Sequence, residues 1–147
     1  MSRLLDVRDL TIGFRGQDGV SVAVHGVSFH VDRGETVALV GESGSGKSVT
    51  ALSTVGLLPE AAQVSGSVVY EGTQMVGAPA RDLRRVRGND ISFVFQEPMT
   101  SLNPLHTIEK QIGESLALHQ GLRGGPARER TLDLLRKVGI RDPEERL

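Results

Sequence analysis

The sequence predicts an α/β fold, and three adjoining segments predict it. Thr36-Val37-Ala38-Leu39-Val40 is a short, apolar, β-branched run of the kind that forms a buried parallel strand. Gly41-Glu42-Ser43-Gly44-Ser45-Gly46-Lys47-Ser48 follows at once and fits the phosphate-binding pattern G-x-x-x-x-G-K-[ST] at every fixed position. Val49 to Leu58 then has helical spacing, with Val49, Leu52, Val55 and Gly56 roughly on one side. Strand, glycine loop and helix in that order distinguish a site from a glycine-rich turn that happens to match.

The other elements follow in chain order. Leu5, Val7, Leu10, Ile12 and Phe14 predict a first strand whose register is disturbed near Asp9. Arg15 to Gly19 is a turn-rich break with a hairpin signal at Asp18-Gly19. Val20 to Val24 and Val27 to Val31 read as two further short strands, and Asp32-Arg33-Gly34 turns the chain into the strand before the loop. Pro59 stops the loop helix, and Ser65 to Gly72 reads as a strand bounded by turns. Arg81 to Arg87 is expected as a short helix; its Arg81, Arg84, Arg85 and Arg87, offset by Asp82 and Asp90, make a solvated face. Ile91-Ser92-Phe93-Val94-Phe95 is the next strand, and from Ile108 the texture turns helical. Ile108 to His119 and Ala127 to Val138 are the expected helices, with a break from Gly121 to Pro126.

Composition excludes several classes. A chain of 147 residues holds one domain with a real core, and its net charge of −1 speaks against a nucleic-acid interface. With no cysteine there is neither a disulfide framework nor a thiolate metal site. The four histidines, His25, His30, His106 and His119, lack metal-ligand spacing and read as structural or surface residues. The N-terminus meets charge after two leucines, unlike a signal peptide, and no apolar stretch approaches the roughly 20 residues that cross a bilayer. The expected protein is soluble, and any membrane role runs through a partner.

The loop's residue types state its chemistry. Gly41, Gly44 and Gly46 are expected to take positive φ and let the backbone approach phosphate oxygens. Successive amides through Ser43, Ser45 and Val49, with the positive end of the helix, cradle the anion. Lys47 reaches the β- and γ-phosphates, and the Ser48 hydroxyl ligates Mg²⁺. The chain is thus expected to bind a nucleoside triphosphate.

A phosphate loop alone is shared by kinases, GTPases, helicases, motors and transporter ATPases. Phe93-Val94-Phe95-Gln96-Glu97-Pro98-Met99-Thr100-Ser101-Leu102-Asn103-Pro104 discriminates among them. From Phe95 to Pro104 it resembles the F-Q-E-P-x-x-S-L-N-P run of the ATP-binding subunits of ABC transporters, in particular dipeptide and oligopeptide importers. Leu10-Thr11-Ile12-Gly13-Phe14, Gly26-Val27-Ser28-Phe29 and the loop through Thr50 are similar to the same subfamily. The resemblance implies a P-loop NTPase core of ABC type over residues 1–98, with an N-terminal antiparallel β subdomain. Residues 99–147 would then begin a helical subdomain.

The resemblance also implies ATP and Mg²⁺ as cofactors, with Lys47 and Gln96 as catalytic residues. Gln96 would touch the Mg²⁺ or its water and couple the site to a membrane-spanning partner, and Phe14 would stack on adenine. Glu97 is declined as a base, because the family's acting glutamate lies elsewhere. The implied partners are transmembrane permease subunits, a second ATPase subunit as homo- or heterodimer and, indirectly, an extracytoplasmic solute-binding protein. The implied place is the cytoplasmic face of the cell membrane.

The sequence also departs from the family. A complete ABC ATPase carries an L-S-G-G signature, a Walker B strand ending in Asp-Glu and a switch histidine, and none of the three occurs here. Leu134 to Leu147 resembles the helical segment just upstream of the signature. The chain therefore resembles the first half of such an ATPase, a truncated form with little or no turnover expected by itself. The alternative function is a nucleotide-binding fragment or assembly module that does not hydrolyse. A GTPase is disfavoured by the lack of N-K-x-D and D-x-x-G, and a kinase by the lack of an acidic partner strand. ABC ATPases of DNA repair are disfavoured by the importer-like run after Gln96. Cargo is implied only as peptides or similar small solutes.

Overall fold

A computed structural model describes residues 3–97 and 101–147, so Met1 and Ser2, part of the N-terminal reading, lie outside the described residues. The chain forms two compact units, Met1–Arg87 and Gly88–Leu147.

The first unit is built on a four-stranded antiparallel sheet of order β2-β1-β3-β4. Its strands are β1 (Arg3–Gly16), β2 (Gly19–Asp32), β3 (Ala62–Tyr70) and β4 (Thr73–Gln74). The expected disturbance at Asp9 is present: Asp9 has φ 47°, and β1 slips by one residue between Val7 and Leu10 against β2 and between Arg8 and Thr11 against β3. The slip has a purpose in packing. Val7 and Leu10 are an odd number of residues apart, so a regular strand would put them on opposite faces. The extra residue of the bulge returns Leu10 and Ile12 to the face of Val7, and all three are buried. Gly66 of β3 lies under the bulge, where a Cβ would collide with the Asp9 carbonyl oxygen. Val24, Val68 and Met75 complete this core.

Where the ladder slips, hydroxyls take over its hydrogen bonds. The Asp9 amide donates to Ser28 Oγ at 2.9 Å and the Gly26 amide to Thr11 Oγ1 at 3.0 Å. That substitution corrects the expectation of two short strands over Val20–Val24 and Val27–Val31: they are one strand, β2, which continues through an irregularity at Gly26. The β1–β2 loop is Gln17–Asp18, closed by the Gly16–Gly19 pair, so Gly19 opens β2 rather than sitting in the turn. The β3–β4 turn is Glu71–Gly72, both at positive φ as a two-residue primed hairpin turn requires.

Helices α1 (Lys47–Ser53) and α2 (Ala80–Val86) complete the unit. The loop helix is shorter than its period predicts. After Ser53 the backbone bonds tighten to three-residue spacing, as Thr54, Val55 and Gly56 donate to Ala51, Leu52 and Ser53. The Ser53 and Thr54 hydroxyls also take the carbonyls of Thr50 and Ala51.

Two expected strands are not formed. Thr36–Val40 and Ser92–Phe95 have no strand conformation, and Ile91 makes an isolated bridge. A parallel strand is stable between neighbours that satisfy both of its edges. Among the described residues no strand pairs with either run, and Val40 and Val94 are 92% and 100% exposed.

In the second unit α3 (Ile108–Gln120) begins at Thr107, whose Oγ1 accepts from the Lys110 amide, and ends at Gly121 in the left-handed conformation. Helix α4 (Gly124–Lys137) starts before Ala127, because Pro126 falls in the first turn, where its missing N–H costs nothing. Leu116, Ala127, Thr131 and Leu135 are buried, and Arg128 and Glu109 pair at 2.8 Å.

Candidate phosphate-binding site

The glycine loop is closed by a small set of contacts. The Ser45 amide donates to the Glu42 carbonyl at 3.2 Å, making a turn inside the loop. Gly44 (φ 82°) and Gly46 (φ 87°) take the left-handed conformation expected of them. Gly41 does not; its requirement is space, since a Cβ there would lie 2.5 Å from Ser45 Oγ. The expectation of positive φ is thus corrected for Gly41. A Cβ on Gly46 would meet Val24 Cγ2 at 2.8 Å and the Ala23 carbonyl oxygen at 2.9 Å, so the end of the loop rests directly on β2.

Lys47, the first residue of α1, folds its side chain back over the loop. Its Nζ donates to the carbonyls of Gly41 at 2.7 Å and Glu42 at 2.6 Å, and to Ser45 Oγ at 3.3 Å. The ammonium is thereby held over the loop backbone rather than out in solvent. The first helical bond runs from the Thr50 amide to the Gly46 carbonyl at 2.8 Å. The amides of Lys47, Ser48 and Val49 precede it and have no carbonyl within the helix to reach. A fixed cation, a run of amides and two glycine positions that no side chain fits are the donor set of an anion cradle. The residues present therefore fit a phosphate chain. The exposed Ser48 hydroxyl, a hard oxygen, suits Mg²⁺.

The other predicted residues are distributed as follows. Phe14 lies on β1, paired with Ser21 and Ala62, and is half-buried at the margin of the core. Gln96 belongs to the second unit, at an exposed bend after the stacked rings of Phe93 and Phe95, which lie 5.9 Å apart. The Glu97 carbonyl accepts from Ser101 Oγ at 2.8 Å. Pro98, Met99 and Thr100, within the run that resembles importer ATPases, lie outside the described residues. Sequence reasoning missed Ala23 and Val24 as the floor of the loop; the inward period of β2 at Val24 was the available signal. It also placed Arg87 on a solvated face, whereas that residue is half-buried and its guanidinium donates to the Val55 and Gly56 carbonyls.

The family model described as ABC transporter matches residues 24–147. The chain belongs to the ABC transporter family. Its relatives in that family include transport ATP-binding proteins. It is 61% identical over 146 residues to the peptidoglycan transport ATP-binding protein YejF of Agrobacterium fabrum, covering 98% of this chain and 27% of that protein. It is 48% identical over 147 residues to the oligopeptide transport ATP-binding protein OppD of Mycobacterium tuberculosis, covering 99% and 24%. It is 44% identical over 149 residues to OppD of Bacillus subtilis, covering 100% and 42%. The chain thus spans from about a quarter to less than half of these relatives' lengths. Among solved structures it matches a dimeric ATP-binding cassette in a post-hydrolysis state with ADP and phosphate, with a TM-score of 0.78 at 23% identity. That match covers 97% of this chain and 62% of the other, and it shows a shared ABC cassette fold. No helix among the described residues is long and apolar enough to cross a membrane.

Proposed function

We propose that this chain supplies the ATP-binding part of the ATPase of an importer for peptides or similar small solutes. The observation that carries the proposal is the Lys47 ammonium drawn over a glycine loop at the start of α1. The peptide, oligopeptide and peptidoglycan transport names of the relatives support the cargo class.

In this role the amides of Gly41 to Val49, including those of Ser43 and Ser45, hold the phosphate chain, and Lys47 neutralises its β and γ oxygens. ATP, when bound, supplies the γ-phosphoryl group whose transfer drives transport. The Ser48 hydroxyl would hold Mg²⁺, the Gln96 amide has the neutral oxygen that suits the same ion, and Phe14 would offer a ring to the adenine. The nucleotide-binding part runs through residue 98 so as to include Gln96, and residues 99–147 open the helical part. Partners are transmembrane permease subunits, through which the site is coupled to a solute-binding protein, and a second ATPase subunit. The place of action is the cytoplasmic face of the membrane.

Calorimetric titration with Mg²⁺·ATP tests the site. Hydrogen bonds to a charged group are worth about 1.5–3 kcal/mol, so Lys47→Ala should weaken binding roughly 10- to 100-fold. Equal affinity of the two chains, or no binding by a folded wild-type chain, overturns the proposal.

A further inference from the structure

Four arginines lie in or beside α2, and one of them is unlike the others. Arg81, Arg84 and Arg85 are exposed, whereas Arg87, the residue that ends α2, is half-buried. Its guanidinium crosses to the far end of the phosphate-loop helix. Nε donates to the Val55 carbonyl at 2.8 Å and Nη2 to the Gly56 carbonyl at 2.7 Å. Its own amide donates to the Leu83 carbonyl at 3.0 Å, which fixes the base of the side chain, and Leu83 packs against Gly56 from the same side.

Those two carbonyls lie in the turn by which the chain leaves α1. The carbonyls of Thr50, Ala51, Leu52 and Ser53 accept bonds from the exit itself, through the amides of Thr54 to Leu57 and the hydroxyls of Ser53 and Thr54. One side chain from the end of α2 takes the carbonyls of Val55 and Gly56. A helix end concentrates partial negative charge, and a guanidinium fork answers it with charge and geometry together. The helix so closed has seven residues, too few to persist without tertiary support. At its other end are Lys47 and the amides of the loop.

Resting on the proposed nucleotide site, we propose that Arg87 is a positioning residue for nucleotide. By clamping the exit of α1 it holds the helix, and with it Lys47 and the loop amides, in the orientation that receives phosphate. The clamp reaches the phosphates through α1 and does not touch them.

The test combines hydrogen–deuterium exchange with Mg²⁺·ATP titration for the wild type, Arg87→Ala, Arg87→Lys and a control, Arg33→Ala. The control removes the ion pair with Glu71 in the same unit but away from α1. In the absence of nucleotide, Arg87→Ala should speed exchange in Ser48 to Gly56 about tenfold or more, leaving β1 and β3 unchanged, since two charge-assisted hydrogen bonds at this exit are lost. Its ATP affinity should fall by a similar order. Arg87→Lys, which keeps the charge but not the fork, should fall between. Arg33→Ala should leave both readouts as in wild type. Exchange that rises evenly across the first unit overturns the inference, because Arg87 would then only stabilise the fold. Faster exchange confined to α1 with undiminished affinity overturns it as well. A folded wild-type chain that binds no ATP overturns the nucleotide reading and the positioning role with it; unchanged exchange in Arg87→Ala, with ATP bound normally, overturns the clamp alone.

Discussion

Gly46→Ala tests whether the phosphate loop is held by packing on the sheet or merely by its own turn. Two costs fall on that alanine. The residue sits at φ 87°, and the left-handed conformation costs an L-residue about 1–2 kcal/mol. Its Cβ would also stand 2.8 Å from Val24 Cγ2 and 2.9 Å from the Ala23 carbonyl oxygen. The second contact is with backbone in a paired strand, which yields little, and overpacking of this kind costs about 1–3 kcal/mol. The sum is roughly 2–5 kcal/mol. Gly44→Ala isolates the first cost: Gly44 has φ 82° but nothing within 4 Å of where its Cβ would be, so about 1–2 kcal/mol is expected. Urea unfolding followed by far-ultraviolet circular dichroism measures both against wild type, with the slopes compared first. Gly46→Ala should lose more than Gly44→Ala by about 1–3 kcal/mol. Equal losses would refute the reasoning, because they would mean that the loop lifts away from Ala23 and Val24 without cost.

Two further outcomes are expected. Met75 is buried in the core of the first unit, so Met75→Ala should cost about 2–5 kcal/mol in the same urea assay. In the second unit, Lys137 first and then Arg130 hold the Asp133 carboxyl below its ordinary 3.8. Glu144 is held below 4.5 by its own backbone amide and then by Arg136. Carboxyls lowered in the folded state stabilise it above their unfolded values, and that contribution is lost as pH falls through those values to the folded ones. Thermal melts should therefore drop as pH goes below about 4.5. The drop should be shallower in Asp133→Asn.

What the sequence made legible was whatever a short stretch of chain decides by itself. The phosphate loop is such a stretch: its glycines, Lys47 and the start of α1 stand within eight residues, and their geometry follows from local conformation. The bulge at Asp9 was legible because the buried alternation of Val7, Leu10 and Ile12 breaks there by one residue. Helix α3 was legible through its period from Ile108 and the break at Gly121, whose left-handed conformation ends it, whereas its cap at Thr107 was not read. Arg87 was not, because nothing near it in sequence separates it from Arg84 or Arg85; the difference lies with two carbonyls more than thirty positions earlier.

Thr36–Val40 and Ile91–Phe95 show the same limit from the other side. Both have the β-branched, apolar composition of central parallel strands, and composition reports that a segment fits between neighbours without supplying them. Parallel pairing is the least local of backbone interactions, since each partner arrives through a crossover of a dozen or more residues. The antiparallel sheet carries no such debt: β1 to β2 and β3 to β4 close through two-residue turns, and β3 returns to β1 within the same unit. The order found among the described residues therefore follows the range of the contacts. Hairpins and capped helices are complete, the loop is set by one packed glycine and one lysine, and the strands that need distant partners stay exposed.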